Sequence, residues 1–133
     1  MVGNAEQVSG CLDKVLNRGT EVVVTALPLY HIFALTANCL TFMKCNWLKC
    51  ANYKSTARYA SIFILKFQPT HKFTAITGVN TLFNGLLNTP GFADLNFSHL
   101  KMSLGGGMAV QRPVAEKWQK VTSSKLMEGY GLY

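Results

Sequence analysis

Residues 21–44 read EVVVTALPLYHIFALTANCLTFMK, and this stretch decides the fold. Glu21–Leu27 holds three consecutive valines in an apolar run. Such a run predicts a strand that is covered on both faces, because β-branched side chains favour strands and parallel strands are buried on both sides. Pro28 ends this strand, and from Ile32 to Lys44 apolar residues recur at helical spacing, which predicts a buried helix. Strand, proline turn and helix form half of a βαβ unit.

The same alternation continues in the second half of the chain. Phe73–Thr77 is a β-rich run closed by Gly78, so a further strand is expected there. A helix should follow, with Asn80 or Thr81 as its N-cap. The apolar residues of that helix are Leu82, Phe83, Leu86 and Leu87. Asn88–Gly91 contains proline and glycine and should end the helix.

The last third of the chain predicts two more strands around one helix. Leu100–Leu104 is expected to be a strand that runs into a triple-glycine loop, Gly105–Gly107, and Lys125–Glu128 is expected to be the final strand. Pro113 fits the first turn of the intervening helix. The apolar face of that helix consists of Val110, Val114, Trp118 and Val121. The complete pattern predicts an α/β fold: a mainly parallel sheet with flanking helices.

Composition limits the classes of protein to consider. The 133 residues suffice for one domain or part of one, and an apolar fraction of 49% argues against general disorder. The two most apolar stretches, Ile32–Met43 and Ser61–Phe67, are shorter than the roughly 20 residues that span a bilayer. Met1–Gly10 lacks the pattern of a secretory signal, so a cytoplasmic location is expected.

Cysteine spacing and charge argue against two kinds of site. Cys11, Cys39, Cys45 and Cys50 form no Cys-x-x-Cys pair, so reduced thiols are expected and a zinc site is not. The formal net charge of +7 would suit nucleic acid, but the basic residues are scattered singly, and no nucleic-acid partner is expected. From Val22 to Ala93 there is no Asp or Glu.

Three loops follow predicted strands, at the edge where parallel sheets bind ligands. They are Pro28–His31, Gly105–Gly107 and Gly129–Gly131. Glycines let the backbone approach a ligand, but a triple glycine also suits an ordinary tight turn. Two interpretations of Tyr130 are open, stacking on a nucleobase and simple turn chemistry. His31 is interpreted either as a pocket gate or as a hydrogen-bonded core residue.

Four motif-bearing stretches follow one another along the chain. They are VVVTALPLYHIFALTANC at Val22–Cys39, FTAITGVNTLFNGLLN at Phe73–Asn88, LGGGMAVQ at Leu104–Gln111 and EGYGL at Glu128–Leu132. In sequence, order and approximate spacing they resemble bacterial long-chain fatty-acid–CoA ligases of the adenylate-forming, or AMP-binding, superfamily. The resemblance implies that residues 1–133 are part of an AMP-binding domain.

The resemblance also implies a reaction. The family joins a long-chain fatty acid to ATP as an acyl-adenylate, with Mg²⁺ assisting, and then transfers the acyl group to coenzyme A. By resemblance, the acyl pocket is lined by Tyr30, His31, Thr77, Gly78, Val79 and Asn80. The nucleotide is contacted by Gly105, Gly106, Gly107, Met108, Gly129, Tyr130 and Gly131.

Two departures from the family pattern bear on activity. After Gly-Tyr-Gly-Leu the family continues with Thr-Glu, which serves the phosphate and Mg²⁺, whereas Leu132 is followed here by Tyr133. The phosphate loop and the catalytic lysine of the family are not found either. We therefore expect an internal fragment that binds no cofactor productively and is inactive alone, with no catalytic or metal-binding residue of its own.

The second departure is the stretch 46–71, NWLKCANYKSTARYASIFILKFQPTH, which fits the family poorly. The family has a strand, Asn-Pro-Arg-Asp and a helix there. The missing acids and scattered basic residues suggest translation in a shifted reading frame. This hypothesis would leave the sheet without a native strand.

A second function class remains open at this stage. A noncatalytic module that binds lipid or a membrane surface would place the helices around Ile32 and Leu82 against lipid and the basic residues against anionic headgroups. Peripheral association with the inner membrane face would follow.

Overall fold

The chain forms five strands and five helices within the residues that the structure describes. This computed structural model describes residues 2–17, 19–27, 30–44, 48–52, 62–66 and 72–129. The strands are β1 (Val22–Thr25), β2 (Leu48–Asn52), β3 (Ala75–Gly78), β4 (Met102–Gly106) and β5 (Leu126–Gly129). The helices are α1 (Val2–Leu12), α2 (π-helical Ala34–Leu40 continued by α-helical Thr41–Lys44), α3 (62–66), α4 (Asn80–Leu87) and α5 (Arg112–Thr122).

The strands form one sheet in the order β2-β1-β3-β4-β5, and every neighbouring pair is parallel. Ala75 on β3 lies opposite Val23 on one side and Met102 on the other. The direction in which successive strands are added reverses between β1 and β3. The chain passes from β1 to β2 on one side of β1 and then to β3 on the other side of β1. The predicted α/β fold with a mainly parallel sheet is confirmed.

One face of the sheet carries the larger core. α4 and α5 pack there, and the Phe83 and Trp118 rings meet edge-to-face with centroids 4.8 Å apart. Trp118 is fully buried, and its Nε1–H donates to Ser103 Oγ on β4 at 3.0 Å. The hydrogen bond satisfies a polar group that would otherwise be costly to bury. The apolar faces predicted for both helices are therefore the faces that pack in this core.

The opposite face is covered by α1, a helix that the sequence patterns did not predict. Leu12 and Leu16 pack on Val23, Ala75 and Met102. Only part of α1 is apolar, since Glu6, Gln7 and Gly10 face solvent. Its weak periodicity explains why it was missed.

The predicted helix from Ile32 to Lys44 is present, but it begins as a π-helix and is not buried all round. Thr41 closes the π-helical turn, since its backbone N–H and its Oγ1–H both donate to the Thr36 carbonyl oxygen, the latter at 2.9 Å. Ala34 and Thr41 are fully buried, whereas Met43 is 67% exposed. The expectation of a buried helix is therefore wrong in extent, because α2 is buried on one side only.

Two strand ends differ from the prediction. Gly105 and Gly106 belong to β4 and hydrogen-bond in the sheet, so the expected triple-glycine loop begins only at Gly107. Gly129 likewise ends β5 instead of starting a loop. The parallel ladder continues through these glycines because each has a partner on the next strand.

The stretch 46–71 contains one strand and one short helix within its described residues. β2 pairs with β1, with Val22 opposite Leu48, and α3 places the buried Ile64 in the larger core. Residues 46–47, 53–61 and 67–71 lie outside the described ranges. A strand is thus present in the segment, and its origin in a shifted reading frame stays a prediction.

An ion pair with one buried partner joins the residues that precede β1 and β4. Glu21, directly before β1, has a side chain only 1% exposed and lies 2.6 Å from Lys101 Nζ, directly before β4. Burial raises the pKa of this carboxyl. Hydrogen bonds from Lys101 and the Asn17 amide, with the attraction of the ammonium group, outweigh burial and hold the pKa below its ordinary value of 4.5.

Candidate functional site

The carboxyl edge of the sheet brings the predicted loops together. Parallel sheets bind ligands at this edge, where the strand order reverses, and here the reversal lies between β1 and β3. Thr25 is opposite Thr77, Gly78 is opposite Gly105, and Gly106 is opposite Gly129. The edge therefore ends in glycine on three adjacent strands.

The end of β4 is enclosed from both faces by apolar side chains. A Cβ atom on Gly105 would lie 2.6 Å from Val110 Cγ2, and one on Gly106 would lie 2.6 Å from Cζ of Phe33. Non-bonded separations this short are essentially never seen for real Cβ atoms. Neither position therefore accepts a side chain without movement of its neighbour. Close packing therefore requires glycine at both positions.

Phe33 is a site residue that the sequence patterns did not reveal. Its ring lies over Gly106 and reaches Gly129, where an added Cβ would be 3.5 Å from Cε2. It thus spans the ends of β4 and β5. The available signals were an aromatic residue two positions after His31 and two glycines far along the chain. Neither signal shows that the aromatic ring packs on those glycines.

The loop after β1 carries Tyr30 and His31. Tyr30 is 90% exposed and thus available to a ligand or to another surface. His31 is half-buried, and its Nδ1 accepts a hydrogen bond from the Phe33 N–H at 3.3 Å. In the neutral ring the proton then resides on Nε2. His31 therefore helps to start α2 beside Phe33, and the gating role stays a prediction.

The stretch after β3 is arranged differently from the prediction. Val79 is the N-cap of α4 and makes no side-chain cap bond, so Asn80 and Thr81 do not cap this helix. Instead Asn80 Oδ1 accepts a hydrogen bond from the Gln111 N–H at 3.0 Å. Thr77 and Gly78 are buried in the sheet, so they present little surface to a ligand.

The loop after β4 runs from Gly107 to Gln111. Gly107 adopts a φ of 79°, a left-handed conformation that favours glycine. Met108 is 70% exposed, whereas Val110 is buried against Gly105. α5 begins at Arg112 with Pro113 in its first turn, as predicted.

Two predicted site residues, Tyr130 and Gly131, lie outside the described ranges. Among the residues within those ranges, no group of three or more His, Cys, Asp or Glu side chains is arranged to hold a metal ion. Within the same ranges, no helix has the length and apolar character needed to cross a bilayer.

Comparison with known proteins gives one family. The family model described as AMP-binding enzyme matches residues 1–132. The chain is 52% identical over 132 residues to long-chain-fatty-acid–CoA ligases of Escherichia coli O157:H7 and Salmonella typhimurium. These matches cover 99% of this chain and 23% of each relative, so the chain spans about a quarter of their length.

Solved structures agree on the fold. The anthranilate CoA ligase AuaEII in complex with anthranoyl-AMP superposes with a TM-score of 0.77 at 17% identity, over 97% of this chain and 25% of that one. At this identity the likeness concerns the fold alone. The sheet and its helices thus correspond to about a quarter of a larger protein.

Proposed function

Because this chain belongs to the family of AMP-binding enzymes, we propose that it forms part of the ligand-binding edge of a long-chain fatty-acid–CoA ligase. The supporting observation is the carboxyl edge of the sheet. Three adjacent strands end there in glycine, and the loops after β1, β3 and β4 surround those ends. The sequence likeness to the ligases includes all of these segments.

The proposed reaction has two steps. A carboxylate oxygen of a long-chain fatty acid attacks the α-phosphorus of ATP, and pyrophosphate leaves, which yields an acyl-adenylate. The thiol sulfur of coenzyme A then attacks the acyl carbon, and AMP leaves. Mg²⁺ would neutralise phosphate charge in the first step.

This chain would contribute binding and orientation to that reaction. Val110 and Phe33 cover Gly105 and Gly106, so a ligand would meet the backbone of this strand end at the exposed Gly107. The exposed Tyr30 and Met108 would contact the ligand from the two flanking loops. Val79 and Asn80 would line the acyl side, backed by Thr77 and Gly78, while Tyr130 and Gly131 would continue the nucleotide side.

We expect the 133-residue chain alone to be inactive, because it corresponds to only 23% of the length of the ligases it resembles. The function is therefore tested in a chimera. The matching segment of the Escherichia coli O157:H7 ligase is replaced by this chain, and fatty-acid-dependent exchange of labelled pyrophosphate into ATP is measured. Exchange with palmitate but not with acetate supports the proposal. A folded chimera without exchange on any fatty acid contradicts it.

The noncatalytic lipid-binding alternative gains no support from the comparisons. A cytoplasmic enzyme with peripheral contact to the inner membrane face remains our proposal for its location. Flotation of the chimera with anionic vesicles, measured at low and high salt, tests that contact.

A further inference from the structure

We propose that Asn80 is a positioning residue, which holds the segment Gly107–Val110 in place across the carboxyl end of β4. This segment is called the arch below. The effect of Asn80 on a ligand rests on the proposed function. Its effect on the arch does not.

The argument begins with the hydrogen bond between Asn80 Oδ1 and the Gln111 N–H. Asn80 is the first residue of α4, and Gln111 is the N-cap of α5, 31 residues later. Amide groups at the start of a helix have no partner within that helix. The Asn80 side chain supplies one and so ties the beginning of α5 to the beginning of α4.

A second contact fixes the same end of the arch. Val110 is buried and fills the space beside Gly105 that a Cβ would otherwise occupy. The other end is fixed by Gly106, which is paired with Gly129 in the sheet and covered by Phe33. Between these two fixed ends only Gly107, Met108 and Ala109 remain, and all three are exposed.

The position of Met108 therefore depends on how firmly the end near Gln111 is held. Packing of Val110 limits translation of that end, but a single apolar contact does not fix the orientation of the backbone there. The hydrogen bond from Asn80 adds direction, because it requires the Gln111 amide to point toward α4. The stretches after β3 and β4 then behave as one wall of the candidate site.

The chain offers a matched control at the other end of the same two helices. Asn88 is the C-cap of α4, and its Oδ1 accepts a hydrogen bond from Lys117 Nζ of α5 at 3.4 Å. Asn80 and Asn88 thus both link α4 to α5, but only Asn80 does so beside the arch. Asn88→Ala removes a longer side-chain link between the same two helices, at the end of α4 away from the arch.

The first experiment uses the 133-residue chain and measures amide hydrogen exchange. Asn80→Ala should accelerate exchange at Gln111 and in the arch by about five-fold, the change expected for one lost neutral hydrogen bond. Asn80→Asp retains the accepting oxygen and should restore protection. Asn88→Ala should leave these amides unchanged. Unchanged exchange in Asn80→Ala, or equal acceleration in Asn88→Ala, overturns the proposal.

The second experiment measures KM and kcat for pyrophosphate exchange in the chimera. Asn80→Ala should raise the KM for ATP by about five-fold and change kcat less, because a loosened wall weakens binding before chemistry. Asn88→Ala should change neither constant. Equal KM values in the parent chimera and Asn80→Ala overturn the ligand effect. A parent chimera without exchange refutes the proposed function instead, and hydrogen exchange still decides the role of Asn80.

Discussion

Glu21 shows at the scale of one residue how a buried charge is made tolerable. Its carboxylate lies at the amino end of β1, on the edge opposite the candidate site, and contacts Lys101, which precedes β4. Burial of an unpaired carboxylate is costly, so the Lys101 ammonium and the Asn17 amide are required there. The ion pair thus ties the start of β1 to the start of β4.

We predict that Glu21 makes folding stability depend on pH. The pKa of Glu21 in the folded chain lies below the ordinary 4.5 that it takes in the unfolded chain. Its stabilisation is therefore complete above pH 4.5 and is lost as the pH falls through the folded value. Urea unfolding from pH 7 to pH 3 should show a difference between wild type and Glu21→Gln of about 1–3 kcal/mol that shrinks below pH 4.5.

Lys101→Met serves as the companion variant. It leaves the carboxylate buried without its cation, so it should destabilise the chain more than Glu21→Gln at pH 7. If Lys101→Met proves milder than Glu21→Gln, or the difference for Glu21→Gln grows with acid, the ion pair does not act as described.

Motifs singled out candidate site residues, whose binding roles stay predictions, but not the contacts of those residues. Tyr30, His31 and Gly105–Gly107 were named from the sequence, and the structure places them at one edge. Phe33 and the bond from Asn80 to Gln111 were missed, because each depends on contacts between residues dozens of positions apart. Local propensity favoured Asn80 as an N-cap, and the tertiary contact decided otherwise.

At the scale of one element, β4 is packed tightly on both of its faces at the site. Its last two residues are glycines enclosed by Val110 on one face and Phe33 on the other. The backbone of β4 thereby approaches both covering side chains more closely than any other residue type allows.

We predict that Gly106→Ala displaces Phe33. The new methyl group would overlap the ring, so the free energy of unfolding should fall by about 1–3 kcal/mol, the usual cost of overpacking. In a Phe33→Ala background, Gly106→Ala should lower the free energy of unfolding by less than it does in the wild-type chain, because the ring is absent. Chemical denaturation of both single variants and the double variant gives the coupling energy.

Gly10→Ala is the matched control for that series. Gly10 lies in α1 with nothing within 4 Å of an added Cβ, so alanine should stabilise the helix by about 0.5–1 kcal/mol. Additive effects of Gly106→Ala and Phe33→Ala would mean that the two residues do not pack against each other in solution.

Strands and helices with strong apolar patterns were predictable as elements. β1, β3, α4 and α5 were found close to their expected bounds, because hydrophobic periodicity and the Pro and Gly stops agreed there. α1 and the π-helical start of α2 were not predicted, since weak periodicity hides the first and periodicity does not distinguish π from α in the second. The shifted-frame hypothesis for 46–71 stays a prediction.

At the scale of the whole molecule, the carboxyl edge carries two of the three most exposed large apolar side chains in the described ranges, and the third is Met43 at the end of α2. Tyr30 is 90% exposed, Met108 70% and Ile32 45%, and all three follow strands at that edge. A group of large apolar side chains in water is a common mark of a contact surface. In the relatives, of which this chain spans 23%, more polypeptide is available to cover such a surface.

We predict that the 133-residue chain self-associates through this edge. The double variant Tyr30→Ser/Met108→Ser should raise the dissociation constant at least about ten-fold, because two large apolar contacts are lost. Sedimentation velocity at several concentrations, in enough salt to screen the net charge of +7, measures the effect. Val15→Ser, at a side chain 44% exposed near the amino edge, is the control. Equal weakening by Val15→Ser would place the association elsewhere.

The all-parallel sheet also sets an order of events while the chain is being made. The Val22 N–H donates to Thr74 Oγ1, 52 residues later, where the β1–β3 ladder begins. At about 5–20 residues per second, a ribosome needs roughly 3–10 s to add that interval. Until then β1 can pair only with β2 and exposes its other edge, so a nascent chain halted before Thr74 is a natural client for chaperones.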